Sequence, residues 1–302
     1  MIEILDKLQF VGMIFAALLG LAFGSFLNVF LVRFPDGESM VRPRSHCRNC
    51  NHTLSWWENL PVLSWIFLKG RCRSCKSGIS ARYPIVELAV GGLWTGCWVK
   101  FCTPVFSSAA GEINSPRLVA LCLFEFVCSA LLCWLLVALT ALDAEYFWLP
   151  DVLTLPGIGL GLLYILLREC IRDDAILPAN LIHALWTSTL AISVSGGLLL
   201  FIRFLYWLIR RREGVGLGDI KLMAMLGAWL GTIGALESFV IATFIASAAA
   251  LVWLIVLAIR RESGGWGAAP LPLGTFLCVA ALSEIFNPHW LWLGLHLDFF
   301  TS

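Results

Sequence analysis

An all-α, polytopic membrane protein with one cytoplasmic insertion is the architecture this sequence predicts, and three observations predict it. Of 302 residues, 59% are hydrophobic and 14% are charged. The apolar residues fall in blocks close to the roughly 20 residues that a helix needs to cross a bilayer. One long polar stretch, 34–83, interrupts them and carries two Cys-x-x-Cys motifs. The net charge of +1 points to no nucleic-acid partner. Membrane lipid is the surrounding these blocks suit.

Taken in order, the blocks give about eight candidate spans by length: 10–31, 84–101, 118–142, 152–167, 181–205, 220–236, 239–259 and 271–286. The first follows a short acidic-tipped segment and is long enough to span, so it reads as an uncleaved anchor. The sixth is short and broken by Gly. Segment 102–117, rich in Ser, Ala and Gly, reads as an external loop. Lys and Arg collect in cytoplasmic loops, which makes 33–83, 143–151, 206–219 and 260–267 the cytoplasmic segments. They hold Arg33, Arg42, Arg44, Arg48, Lys69, Arg71, Arg73, Lys76, Arg82, Arg210, Arg211, Arg212, Arg260 and Arg261, against Lys7, Lys100, Arg117, Arg168 and Arg172 opposite. Many of the 14 Trp lie near span ends, where indoles favour the interface. The expected domains are a first span (1–33), a zinc-knuckle insertion (34–83) and a multi-span body (84–302).

In the insertion, Cys47-Arg48-Asn49-Cys50 and Cys72-Arg73-Ser74-Cys75 stand 21 residues apart. Each two-residue turn points both thiolates at one ion, the pattern of a tetrahedral four-cysteine zinc site. A reducing compartment favours metal over disulfides. Arg44, Arg48, Arg71 and Arg73 are expected to support the thiolates. His46 and His52 are alternative ligands. The remaining cysteines, Cys97, Cys102, Cys122, Cys128, Cys133, Cys170 and Cys278, read as small buried hydrophobes.

Two carboxylates carry the chemistry. Asp219 closes Gly216-Leu217-Gly218-Asp219 at the mouth of the sixth span, and Asp143 ends the third. Membrane-edge carboxylates are costly and mark functional sites by default, and the charge bias puts both on the same side. Two such groups in a low-dielectric site share one proton, the arrangement of an aspartyl protease. Gly216 and Gly218 would let an extended substrate approach the backbone. Lys221 either supports ionised Asp219 or snorkels to the interface. Asp151 rivals Asp143 but reads as the N-cap of the fourth span, and Glu145 as a loop or positioning residue. Glu58, Glu87, Asp143, Glu145, Asp151 and Glu213 are the acids able to meet a basic substrate. Glu87 does so either by direct contact or forms a structural salt bridge to an Arg such as Arg82.

Together these pieces resemble the bacterial prepilin peptidases. The resemblance covers nearly the whole chain. Its motifs are Gly24-Ser25-Phe26-Leu27-Asn28-Val29 with Arg33, the knuckles with Trp57-Glu58-Asn59-Leu60-Pro61-Val62-Leu63-Ser64-Trp65, and Ile79-Ser80-Ala81-Arg82-Tyr83-Pro84-Ile85-Val86-Glu87. Asp143 then precedes Leu149-Pro150-Asp151 and Leu153-Thr154-Leu155-Pro156, with Gly216-Leu217-Gly218-Asp219-Ile220-Lys221-Leu222 last. The chain departs at Pro270-Leu271-Pro272-Leu273-Gly274-Thr275-Phe276, where many relatives have a Phe-Gly-Pro run, so Gly274 and Thr275 receive no role. The tail carrying His289, Trp290, Trp292 and His296 has no usable counterpart.

What the resemblance implies is an intramembrane aspartyl endopeptidase of the bacterial inner membrane, with its active site on the cytoplasmic side. It would cut the basic leader from type IV prepilins or type II secretion pseudopilins after a Gly. Its catalytic residues would be Asp143 and Asp219. It would then methylate the new N-terminus with S-adenosylmethionine, which enters only through the family, since no Gly-rich nucleotide-binding pattern is present. The oligomeric state, the native substrate and the donor-binding residues stay open. A transporter with paired acids would call for an inverted repeat, which is not evident. A zinc-bearing scaffold would need no matched aspartates. A presenilin-like protease would need a Tyr before the first Asp, where Leu142 stands, and a Pro-Ala-Leu motif that Leu271-Pro272-Leu273 does not supply.

Overall fold

A computed structural model describes residues 2–107, 116–172, 178–212, 214–260 and 271–288. Glu213, Arg261, Pro270, His289, Trp290, Trp292, His296 and residues 108–115 of the expected 102–117 loop lie outside the described residues, while 103–107 and 116–117 are helical. Among the described residues there are helices and two isolated β-bridges but no strand. The chain forms two compact units, Met1–Ala138 and Leu139–Ser302.

The first unit holds α1 (Ile2–Arg33), α2 (Leu63–Phe67), α3 (Arg82–Phe101), α4 (Thr103–Ser107) and the first part of α5 (Pro116–Tyr146). Small residues let α1 and α3 touch backbone to backbone. A Cβ on Gly20 would sit 2.9 Å from Gly91 Cα, and one on Gly24 would sit 2.7 Å from Glu87 Cα. Such small-residue seams replace the hydrophobic driving force that lipid cannot give. An aromatic contact extends the seam, Phe23 against Trp94 (4.9 Å), and Trp98 edge-on to Phe126 (5.3 Å) ties α3 to α5. At the end of α1, buried Arg33 gathers the carbonyls of Ser39, Met40 and Pro43 and so turns the chain into the insertion.

The second unit holds the end of α5, α6 (Asp151–Arg172), α7 (Pro178–Arg210), α8 (Leu217–Arg260) and α9 (Leu273–Phe286). Its 44-residue α8 would run about 66 Å if straight. It breaks instead at Gly231, whose φ of 74° and ψ of 179° suit almost no residue but glycine. Helix α8 packs on α6 and α7 through small residues. Trp229 Nε1 donates to the Gly157 carbonyl (2.8 Å), next to Pro156, which has no N–H of its own.

Five described helices are long and apolar enough to cross a membrane: Lys7–Arg33, Pro116–Tyr146, Asp151–Arg172, Pro178–Arg210 and Leu217–Ile259. The protein is a multi-pass membrane protein. The other predicted blocks are α3, the second limb of α8, and the 14-residue α9. Exposed Leu251, Val252, Trp253 and Ile255 on that limb suit contact with lipid. Helix α5 runs through Tyr146, so Asp143 lies within its last turn and not in a loop beginning at 143.

Candidate functional site

Asp143 and Asp219 are each held at the start of a helix. Asp219 lies in the first turn of α8, and its Oδ2 accepts the Gly216 N–H (3.3 Å). That is one half of a capping box. Asp143, 5% exposed, reaches the start of α9. Its Oδ2 accepts both the Thr275 N–H (2.6 Å) and the Thr275 hydroxyl (3.0 Å). The first N–H groups of a helix have no intrahelical partner, and the helix dipole favours an anion there. Asp219 lies within reach of the charge of Asp143, and fully buried Cys278 lies within reach of both. Leu149 packs behind them, 3.0 Å from where a Gly218 Cβ would lie and 2.8 Å from a Gly274 Cβ. That Gly274 Cβ would also stand 3.0 Å from Asp143 Oδ2, so a larger residue there would press on the carboxylate.

Several expectations are corrected. Asp151 is not an N-cap but the first residue of α6, where the Pro150 carbonyl takes the first amides, and it pairs with Lys221 (2.6 Å). Lys221 thus has Asp151 as a partner, which its sequence position beside Asp219 did not suggest. The space beside Gly218 is filled by Leu149, while Gly216 stays exposed. Glu87 is held from within the first unit. It is buried, and it accepts the Val62 N–H (2.7 Å) and bonds from Ser25 and Asn28. Val62 has φ +61°, and the Leu63 N–H reaches the Pro61 carbonyl in a tight γ-turn. A β-branched residue at positive φ is strained, and Glu87 holds it there. Thr275, given no role from sequence, is the group that orients Asp143. Its signal was a hydroxyl and a free amide in the first turn after Pro272.

The four cysteines of the insertion converge, their Sγ atoms all within 4.8 Å of one another. Cys47 lies 3.8 Å from Cys75 and Cys50 3.9 Å from Cys72. Zn–S bonds of about 2.3 Å at tetrahedral angles place sulfurs about 3.8 Å apart, so the donor set fits a cation of that kind. The two knuckles repeat one conformation 25 residues apart. Cys47 N–H bonds the His52 carbonyl as Cys72 N–H bonds that of Ser77, and Asn51 and Lys76 share a positive φ. The Ser77 hydroxyl, then its backbone, then Asn49 bring the Cys75 thiol down to about 5. Two of the four arginines expected to do this work elsewhere, Arg48 against Asp36 and Arg73 over Trp57. His46 and His52 are not ligands. His46 bonds the Arg44 carbonyl, and His52 bonds Glu58. Glu58 is buried, 5% exposed. Among the other cysteines, Cys97, Cys102, Cys122, Cys133 and Cys278 are buried and Cys128 and Cys170 half-buried.

Two family models match the chain: the Bacterial Peptidase A24 N-terminal domain over residues 18–101 and the Type IV leader peptidase family over 130–255. A protein of Burkholderia pseudomallei named prepilin leader peptidase/N-methyltransferase is 36% identical, covering 93% of this chain and 87% of its own length. Proteins of the same name from Aeromonas hydrophila (35% identical, 87% and 86% covered) and Stutzerimonas stutzeri (34%, 88% and 87%) are also similar. No solved structure matches the chain.

Proposed function

The chain belongs to the type IV leader peptidase family, and from that premise we propose that it cleaves the basic leader from type IV prepilins or type II secretion pseudopilins after a Gly and N-methylates the residue exposed. The observation that carries the cleavage reading is a pair of aspartates, each bonded at a helix N-terminus, with Leu149 packed against the glycine beside each of those termini.

Asp143 and Asp219 act as one acid–base unit. The ionised member takes a proton from the attacking water, and the protonated member donates to the scissile carbonyl oxygen. Asp143 Oδ2 is committed to accepting from Thr275, so the shared proton rides on Asp143 Oδ1 or on Asp219. The start of α8 and the start of α9 also favour the negative charge that develops on the carbonyl oxygen. Exposed Gly216 leaves the backbone open to an extended substrate. Glu87 and Lys221, both engaged within the protein, serve to hold the fold.

Zinc is the ion that Cys47, Cys50, Cys72 and Cys75 would hold. Four protein ligands fill a tetrahedral site, so its role is structural. S-adenosylmethionine, when bound, supplies a sulfonium methyl to which the new amine forms an N–C bond, while the C–S pair returns to sulfur and the amine proton passes to solvent. The arginine-rich insertion faces the cytoplasm of the bacterial inner membrane by the charge rule. That side also keeps a basic leader. Cleavage of a synthetic prepilin by purified wild type and by Asp143→Asn, Asp219→Asn and Asp151→Asn tests the dyad. We expect the first two to lose cleavage and the third to keep it. Wild-type cutting by either dyad variant would remove that residue from the mechanism.

A further inference from the structure

Four of the seven cysteines outside the knuckles sit on one seam, where α3 meets α5, and they sit there as two pairs. Cys97 and Cys133 are fully buried with Sγ atoms 3.7 Å apart. In the second pair the Cys102 thiol donates to the Cys122 carbonyl (3.5 Å), and the two thiols are within hydrogen-bonding reach of one another. Trp98 and Phe126, which fall between the pairs along both helices, meet edge-on. A small buried hydrophobe needs no partner of its own kind, so packing alone leaves the pairing unexplained. The pairs also differ in depth. Cys102 caps the end of α3, the end away from the insertion, and Cys122 lies in the second turn of α5, with residues 103–121 running between them. Cys133 lies about 16 Å further along α5.

We propose that Cys102 and Cys122 form a disulfide on the external face of the membrane, while Cys97 and Cys133 stay thiols. The assignment rests on the sidedness proposed above, in which the insertion is cytoplasmic and the far end of α3 is therefore external. Disulfides form and persist in the bacterial periplasm. One cysteine, as thiolate, attacks the disulfide of a periplasmic thiol oxidase, so that a mixed disulfide forms and one oxidase thiol leaves. The other cysteine gives its proton to water and attacks the first cysteine's sulfur in that mixed disulfide, releasing the second oxidase thiol. Two thiols of this chain are oxidised and one disulfide of the oxidase is reduced. Cys102 and Cys122 are 0% and 4% exposed in the folded protein. The exchange therefore belongs to the stage at which 103–121 has crossed the membrane and α3 has not yet closed on α5, and the later burial shields the bond from reductants. At the depth of Cys97 and Cys133 hydrocarbon opposes the thiolate that exchange requires. The bond closes the 103–121 segment and ties α3 to α5 at the end opposite the insertion.

The test counts thiols in the full-length protein, made in a bacterial host that keeps its periplasmic thiol oxidase. Membranes are quenched in acid, and the protein is denatured with a chelator and tagged with a maleimide before and after reduction. Of the 11 cysteines, nine should take the tag before reduction and all of them after it, and an unreduced digest should contain Cys102 linked to Cys122. Cys102→Ser should leave every remaining thiol free before reduction, whereas Cys97→Ser should still hide two. Because the count is made on denatured chains, it stands even where a variant folds poorly. A host without the oxidase should yield wild type with every thiol free. In a separate arm, Pro104→Cys on spheroplasts should react with a membrane-impermeant maleimide. Labelling of that residue from outside together with a wild type whose thiols are all free, or with a bond mapped to Cys97 and Cys133, overturns the disulfide and leaves the sidedness standing. Labelling only after the membrane is opened overturns both.

Discussion

The insertion and the aspartate pair both gather groups that folding normally keeps apart, yet they do so over different ranges of sequence. In the insertion, two short knuckles repeat one backbone pattern 25 residues apart, and each brings its own two sulfurs. Within the second unit, Asp143 is oriented by Thr275 across 132 residues, and Asp219 is oriented by its own first turn. The insertion buries few of its residues, Glu58, Gly70 and Cys72, so an ion at the four sulfurs would supply its cohesion. The aspartates depend on helices that stand without them, which leaves their charges available for chemistry.

If that contrast holds, removing the ion should have the larger structural effect. Cys72→Ser, or chelation of the wild type, should release the metal and open 34–83 to protease, because four-thiolate zinc supplies on the order of 10 kcal/mol to small domains. An insertion that resists protease without metal would break the comparison. Thr275→Val should come next. It keeps the amide but loses the hydroxyl, a charge-assisted bond of about 1.5–3 kcal/mol, and so slows cleavage roughly 10- to 100-fold, while Thr275→Ser restores it. Equal rates in wild type and Thr275→Val would show that the amide alone orients Asp143.

Smaller effects sharpen the picture. Burial pushes the Glu58 carboxyl up, but the Ser55 amide and His52 outweigh it and hold it below its usual range. Its contribution to stability is therefore present at neutral pH and lost as pH falls through that lowered value. The melting gap between wild type and Glu58→Gln should close on acidification, and a gap that widens would contradict the assignment. Smallest of all, Lys221→Met removes a half-exposed ion pair with Asp151 and should change stability by less than about 1 kcal/mol.

What the sequence revealed follows the same division. Cys-x-x-Cys spacing is local chemistry, so the cluster was legible, and long apolar blocks announced the helices. Gly20 and Gly91 could be noticed but not paired, because a helix seam is visible only once the partner helix is in place. Thr275 escaped because its function is to meet a carboxylate more than a hundred residues away, within a segment that departs from the family's usual run. Glu87 was misread since a buried carboxylate in a span suggests substrate or salt bridge, while its partner here is the amide of a strained turn at Val62. Lys221 and Asp151 were each considered alone and turned out to answer one another.

The most direct measurement offers one folded, zinc-replete variant, Asp219→Asn, two substrates: an intact prepilin and the same peptide already cut. Mass spectrometry with S-adenosylmethionine present would follow both. The account predicts no cleavage of the first, by at least about 10³-fold, with methylation of the second at the wild-type rate. Cleavage at the wild-type rate, or loss of both activities together in a folded protein, would contradict a dyad that serves cleavage alone.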